Sequence, residues 1–188
     1  MASSRSKSDA PWWYNEGASV SQLAGAVWQT PRGWALEEFS VRKTGTEPGD
    51  FGRCDLRVEV GNLKLVVEAK QIGLRWTNTT SPKKRLDHAF EKALGQVAKY
   101  PDGRGAYRRG AIVFVVPWIT RKLVDQPDVL AERLRTLVYE IIDTRPNADV
   151  AWSFPVAKRR LPSKRKRLRG RYFPGIVLVL ERVKAPSR

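Results

Sequence analysis

The chain has 188 residues, with 35 Lys or Arg, 19 Asp or Glu and one His, and its formal net charge is +16. This length suits one domain with a hydrophobic core, and no apolar run approaches the roughly 20 residues that a membrane span needs. A single cysteine excludes an internal disulfide framework, and one Cys with one His excludes the usual zinc sites.

Residues 1–11 are rich in Ser, Lys and Arg and end at a proline, so we expect a disordered basic tail before a single domain at 12–188. Apolar periodicity and turn residues predict the elements of that domain. They are helices at 17–30, 82–100 and 127–143, and strands at 34–43, 53–60, 64–70, 110–117, 149–157 and 172–183. Ser19 and Asp125 are the expected caps of the first and third helices. This order predicts an α/β fold, a mixed central sheet flanked by helices.

Residues 53–70 hold the most informative pattern, because two apolar strands flank a Gly-Asn turn that favours a tight hairpin. The register set by this turn places Leu56 opposite Val67 on an apolar face, to which Cys54 would belong as a buried structural thiol. On the other face the same register places Asp55 opposite Glu68. Like charges directly opposite each other destabilise a sheet unless a cation lies between them.

The carboxylate pair predicts a divalent-metal site. Asp55 and Glu68 supply oxygen ligands, and the backbone carbonyl of Ala69 is a third one. Oxygen ligands suit hard ions, so we expect Mg²⁺ or Mn²⁺. Lys70 lies two residues beyond Glu68 on the same strand face, where it would orient the attacking water or neutralise developing charge.

Asp55, followed after twelve residues by Glu68-Ala69-Lys70 at the end of an apolar strand, resembles the catalytic signature of the PD-(D/E)xK nuclease superfamily. Gln96 and Tyr100, four residues apart and so expected on one helix face, resemble the QxxxY motif of its RecB-like members. The resemblance covers about residues 16–117. It implies a restriction-endonuclease-like three-layer fold, with Asp55, Glu68 and Lys70 catalytic and the QxxxY pair supporting the site.

The superfamily often adds a carboxylate from its first helix. Glu16, at the start of the first predicted helix, is the expected residue for this role. Glu37 and Glu38 are alternatives, because one of the two must point to the site face if 34–43 is a strand. A glutamate at a helix N-terminus is also favourable without a catalytic role.

A basic run at 158–171 separates the last two strands, and we expect it to be an exposed loop that contacts phosphates. Its basic residues are Lys158, Arg159, Arg160, Lys164, Arg165, Lys166, Arg167, Arg169 and Arg171. A solvated charge run and a nuclear-localisation signal are the alternatives.

These features predict a Mg²⁺-dependent nuclease that hydrolyses phosphodiester bonds in DNA, with nucleic acid as its partner and no membrane association. The alternatives are a non-catalytic nucleic-acid-binding protein that retains the fold, and a nuclease subunit that needs a partner protein. A homodimer is the expected state if a single site cuts both strands of a duplex. We expect the protein in the cytoplasm, on the nucleoid in bacteria or phage, or in a eukaryotic nucleus.

Overall fold

A mixed seven-stranded sheet forms the centre of the protein in a computed structural model, which describes residues 12, 15–42, 51–75, 81–100, 107–120, 123, 125–155 and 171–183. The helices are α1 (Glu16–Trp28), α2 (Lys83–Val97) and α3 (Pro127–Thr144). The strands are β1 (Gly33–Arg42), β2 (Phe51–Val60), β3 (Leu63–Arg75), β4 (Arg108–Thr120), β5 (Asp149–Ser153), β6 (Arg171–Tyr172) and β7 (Ile176–Arg182).

The strand order is β1-β2-β3-β4-β7-β5, and the short β6 pairs with β4. Only β3 and β4 run parallel in this sheet, and all other pairs are antiparallel. Parallel neighbours need a crossover connection, which α2 supplies. The predicted continuous apolar run in β4 is confirmed as a central strand, because residues from Gly110 to Pro117 are buried.

Helices cover both faces of the sheet in the described part of the chain. On one face α1 packs through Val20, Ala24 and Val27, whose spacing makes one helical stripe. On the other face α2 and α3 share one apolar cluster with β3, β4 and β7. The structure is therefore an α/β protein with helix, sheet and helix layers, which confirms the predicted class at this level. No helix in the described ranges is long and apolar enough to cross a membrane.

Two of the predicted helix caps are wrong. Asn15 caps α1 in place of Ser19, because its Oδ1 accepts a hydrogen bond of 2.9 Å from the Ala18 N–H. Helix α3 begins at Pro127 after Gln126, which makes no side-chain cap bond, and Asp125 lies before it. The N-cap position is thus Gln126 and not Asp125, and proline at the first helical position needs no N–H partner.

The single strand predicted at 172–183 is wrong, because β6 and β7 are separate strands. Strand β3 also departs from its predicted boundaries, since it continues five residues beyond 70 to Arg75. Its parallel ladder with β4 explains the extension, because backbone pairing runs without a gap from Leu65–Arg108 to Arg75–Trp118. The sequence from Gln71 to Arg75 does alternate, with Ile72 and Leu74 between polar or glycine positions, but five residues that include a glycine are a weak strand signal on their own. Pairing with a buried neighbour therefore sets the length of β3. The predicted tail at 1–11 and almost all of the basic run lie outside the described residues.

Candidate active site

The β2–β3 ladder opens where the two predicted metal ligands should face each other. The predicted register is confirmed from Val60–Leu63 to Leu56–Val67, and the ladder ends there. The expected Asp55–Glu68 pair is therefore not formed. Instead, Asp55 Oδ2 accepts a hydrogen bond of 2.7 Å from the backbone N–H of Ala69. A side chain replaces a strand carbonyl at this point, which satisfies the N–H and lets the two strands separate.

Strand β2 also changes face at Asp55. Leu56 packs beneath α1, whereas Cys54 packs at the opposite face against the end of α2. Residues two apart in a regular strand share a face, so the strand must rotate between these positions. Strand β1 rotates at the same level, where Glu38 has a φ of 48°, a left-handed conformation that is rare for a non-glycine residue. Such strain is of order 1–3 kcal/mol and clusters at functional sites.

Glu16, the first residue of α1, completes the opening. Its Oε2 accepts a hydrogen bond of 2.8 Å from the backbone N–H of Gln71. Alternate N–H groups of a strand point to one edge, so Ala69 and Gln71 both face the edge that β2 has left. The Asp55 carboxylate accepts from the Ala69 N–H, and the Glu16 carboxylate accepts from the Gln71 N–H. Two side chains that are far apart in sequence therefore meet along three residues of β3.

Lys70 places its ammonium group beside the Glu16 carboxylate and the Ala69 carbonyl. Its Nζ donates to the carbonyl oxygen of Ala69 at 2.6 Å and lies 3.5 Å from Glu16 Oε1. About a quarter of the side chain is exposed, so the ammonium is reachable from solvent. The Ala69 carbonyl oxygen and Glu16 Oε1 thus both contact the Lys70 ammonium group. The Ala69 carbonyl, one of the predicted metal ligands, is therefore in contact with the Lys70 ammonium.

Glu68 is the only charged side chain in the core among the described residues, with 3% of it exposed. Burial raises the pKa of the nearby Cys54 thiol to about 12, and the negative charges of Glu68 and Asp55 add to this shift. The predicted buried thiol is thus confirmed, although it lies on the α2 face and not on the face of Leu56. The carboxylates of Glu16 and Asp55 and the ammonium of Lys70 therefore lie along this edge, and Glu68 is buried in the same stretch of β3.

The spacing of the QxxxY pattern predicts that its two residues share one helix face, and this prediction is wrong. Helix α2 ends at Val97, so Tyr100 lies beyond it. Tyr100 is buried and its hydroxyl donates to the backbone carbonyl of Arg53 at 3.1 Å, two residues before Asp55. Gln96 is on the exposed side of the helix. Tyr100 therefore supports the backbone of β2, while Gln96 lies away from the strand edge.

The alternative carboxylates on β1 lie elsewhere. Glu37 accepts a hydrogen bond from the Ser21 hydroxyl on the outer part of α1. Glu38 forms an ion pair of 3.5 Å with Arg53, and both side chains are more than half exposed. Among the three glutamates considered from the sequence, the contact with Lys70 belongs to Glu16.

Sequence reasoning missed a polar group that holds the start of α1 against β3. The Ser19 hydroxyl donates to Gln71 Oε1 at 2.7 Å, and Gln71 Nε2 donates to the carbonyl of Trp12 at 3.3 Å. Ser19 is 3% exposed, which is unusual for a hydroxyl on a helix. The available signal was a polar residue directly after Lys70. These contacts fix Glu16 relative to Lys70.

The oxygen atoms at this edge fit a hard divalent ion in their chemistry. Asp55, Glu68 and the Ala69 carbonyl offer only oxygen, and Mg²⁺ commonly takes one or two carboxylates and keeps several waters. The described residues contain no group of three or more His, Cys, Asp or Glu side chains placed to hold a metal ion together. An ion here would therefore depend on two carboxylates, a carbonyl and water.

Of the predicted phosphate-binding residues, Arg171 is described and the others lie outside the described ranges. Arg171 opens β6, and its guanidinium carbon lies 4.3 Å from the centre of the Trp118 ring. No family model, curated protein or solved structure matches this chain.

Proposed function

We propose that this protein is a metal-dependent nuclease that hydrolyses phosphodiester bonds in DNA. The observation that carries the proposal is the opening of the β2–β3 ladder, where Glu16, Asp55 and Lys70 meet around Ala69. A structural hairpin would continue its backbone pairing at this point. Here the pairing is replaced by charged side chains, beside a buried glutamate at position 68.

Asp55, Glu68 and the carbonyl of Ala69 are the residues that would hold Mg²⁺ or Mn²⁺. When bound, such an ion polarises the scissile phosphate and lowers the pKa of a coordinated water. Asp55 is positioned for this by its bond to the Ala69 N–H, which leaves its second carboxylate oxygen for another partner. Burial of Glu68 keeps that carboxylate out of bulk water, where its interaction with a cation is stronger.

Lys70 provides the positive charge that phosphodiester hydrolysis needs beside the scissile bond. Its ammonium has three donors, of which the Ala69 carbonyl and the Glu16 carboxylate engage two. The third donor is available to a phosphate oxygen or an attacking water. Glu16 orients the ammonium by charge, and Gln71 and Ser19 hold Glu16 in place. Preorganised charge of this kind is the main contribution that a protein makes to such reactions.

The arrangement of elements supports a restriction-endonuclease-like fold for the same chain. A first helix, an acidic hairpin, a crossover helix and a buried parallel strand follow in that order. Helices cover both faces of the sheet, and the carboxylates lie at the open edge of the hairpin. The formal net charge of +16 suits a nucleic-acid substrate, since basic proteins release counterions when they bind it.

The decisive experiment measures cleavage of linear, circular, single-stranded and branched DNA, and of RNA, with Mg²⁺ or Mn²⁺ and with EDTA. Asp55→Asn and Glu68→Gln should abolish cleavage, because each removes one charge at the metal and keeps the side-chain shape. Glu91→Gln is the matched control, since this glutamate is 82% exposed on the surface of α2. Calorimetry should show that Glu68→Gln also loses metal binding.

Wild-type cleavage rates in Asp55→Asn or Glu68→Gln would refute the assignment. Binding to DNA without cleavage under any metal condition would favour the non-catalytic alternative. Activity that appears only after addition of a protein encoded beside this one would favour the subunit alternative.

A further inference from the structure

Two arginines flank one tryptophan at the far end of β3 and β4. The guanidinium carbon of Arg75 lies 5.5 Å from the centre of the Trp118 ring, and that of Arg171 lies 4.3 Å from it. Arg75 is the cross-strand partner of Trp118, and Arg171 pairs with Thr120 two residues further along β4. The two guanidinium carbons are therefore within about 10 Å of each other. We call these three residues the Arg–Trp–Arg cluster.

Two like charges this close repel each other, and the cluster contains no compensating acid. Within the described ranges, no carboxylate lies within the 4.0 Å of an ion pair from Arg75 or Arg171. Other described arginines have such partners, for example Arg145 with Asp87 and Glu181. The cluster thus concentrates positive charge around Trp118.

The cluster lies on the same face of the sheet as Glu16. Gln71 contacts α1 on this face, and Arg75 follows it by four residues, so alternation returns both side chains to one side. Trp118 follows Phe114, which also packs beneath α1. At about 3.3 Å per residue, the five residues from Lys70 to Arg75 span roughly 16 Å along the strand. This odd separation starts the two side chains on opposite faces, and the Lys70 ammonium reaches the α1 side through its contact with Glu16 at the strand edge. Gly73, between Gln71 and Arg75 on this face, is exposed and carries no side chain.

The chemistry of stacked guanidinium groups favours phosphate as the ligand. A guanidinium that lies over an aromatic ring uses its flat face, so its N–H donors remain available at its edge. These donors match the oxygens of a phosphate in a two-point geometry. The ring also restricts the arginine side chain, so less conformational entropy is lost when the phosphate binds.

We propose that the Arg–Trp–Arg cluster is a phosphate clamp that binds the nucleic-acid backbone about five nucleotide steps from the candidate active site. The distance corresponds to roughly 16 Å at about 3.4 Å of rise per nucleotide. The role as a substrate contact rests on the proposed nuclease function, whereas backbone binding by the cluster is measured without cleavage. Arg75 and Arg171 supply the charges, and Trp118 orients them.

The test measures the affinity of the full chain for labelled single-stranded and duplex DNA in EDTA over a range of salt concentrations. Each loss of a phosphate contact should reduce the slope of log affinity against log salt by about 1. Arg75→Gln and Arg171→Gln should each show this reduction, and the double variant about twice as much. Arg75→Lys should keep the wild-type slope, because it keeps the charge.

Arg135→Gln is the matched control, since this exposed arginine lies on α3, on the opposite face of the sheet. Its slope should equal that of the wild type, and thermal unfolding confirms that each variant is folded. A strand with abasic sites separates phosphate binding from base stacking: the clamp predicts equal losses with and without bases. Unchanged slopes in both arginine variants, or losses confined to strands that carry bases, would overturn the clamp.

The result is independent of the outcome of the cleavage assay. A reduced slope in a protein that cuts nothing supports the clamp and contradicts the nuclease. Cleavage with unchanged slopes supports the nuclease and contradicts the clamp.

Discussion

Replacement of Glu16 by glutamine tests the assignment of the third carboxylate. The amide keeps the shape of the side chain and an oxygen that can accept from the Gln71 N–H, but it removes the charge that faces Lys70. At the observed 3.5 Å, the gross attraction between the two charges is about 5 kcal/mol at an effective dielectric constant of 20. Both side chains are partly exposed, at 25% and 34%, so solvent screens most of this energy.

A net loss of about 1.4–2.7 kcal/mol remains as the expected effect on the transition state, because Lys70 loses its orienting partner. This loss corresponds to a 10- to 100-fold lower kcat. Glu37→Gln and Glu38→Gln are the matched controls, since both carboxylates point away from Lys70, and their rates should stay within about twofold of the wild type.

The assay is single-turnover cleavage of labelled DNA at saturating Mg²⁺, with thermal unfolding to confirm the fold of each variant. An equal loss in Glu37→Gln, or a wild-type rate in Glu16→Gln, would refute the role of Glu16. Lower stability without a change in kcat would show that Glu16 serves only the start of α1.

Two further predictions concern the framework of the site. Burial raises the pKa of the Cys54 thiol to about 12 in the folded protein, whereas the same thiol in the unfolded chain has its ordinary pKa of 9.0. The contribution of this thiol to stability is therefore complete below pH 9. Above pH 9 it falls by up to about 1.4 kcal/mol per pH unit. Urea unfolding should show this fall in the wild type and not in Cys54→Ala, and rapid alkylation of the native thiol at pH 8 would contradict the burial. Arg145→Met should lower the free energy of unfolding by about 1–2 kcal/mol, because it leaves the partly exposed Asp87 and Glu181 without their shared cation. Arg135→Met, on the exposed surface of α3, should change it by less than about 0.5 kcal/mol, and equal losses in both variants would show that the Arg145 contacts add nothing.

Local pattern was sufficient for the hairpin. The Gly-Asn turn and the alternation of apolar residues predict the pairing of Leu56 with Val67, because register in a short hairpin depends only on residues next to the turn. The apolar stripes of α2 and α3 and the buried run of β4 are confirmed for the same reason. In these elements the residues that decide the structure are close together in the chain.

The same pattern could not show where the ladder ends. Rotation of β2 at Asp55 depends on the packing of Cys54 under α2 and of Leu56 under α1, on opposite faces of the sheet. Likewise, the end of α2 at Val97 places Tyr100 against the carbonyl of Arg53, which no four-residue spacing predicts. Such contacts arise when layers meet, so their effect on a strand is not encoded in its own alternation.

Amino-acid order alone thus identified Asp55, Glu68 and Lys70 as an unusual charged group at the end of an apolar hairpin. The choice of Glu16 over Glu37 and Glu38 required the folded chain, because Glu16 and Lys70 are 54 residues apart and meet only when α1 packs on β3. The Arg–Trp–Arg cluster has the same origin, since its members come from three strands. Residues distant in sequence are brought together by the burial of apolar surface, and that burial is a property of the whole core.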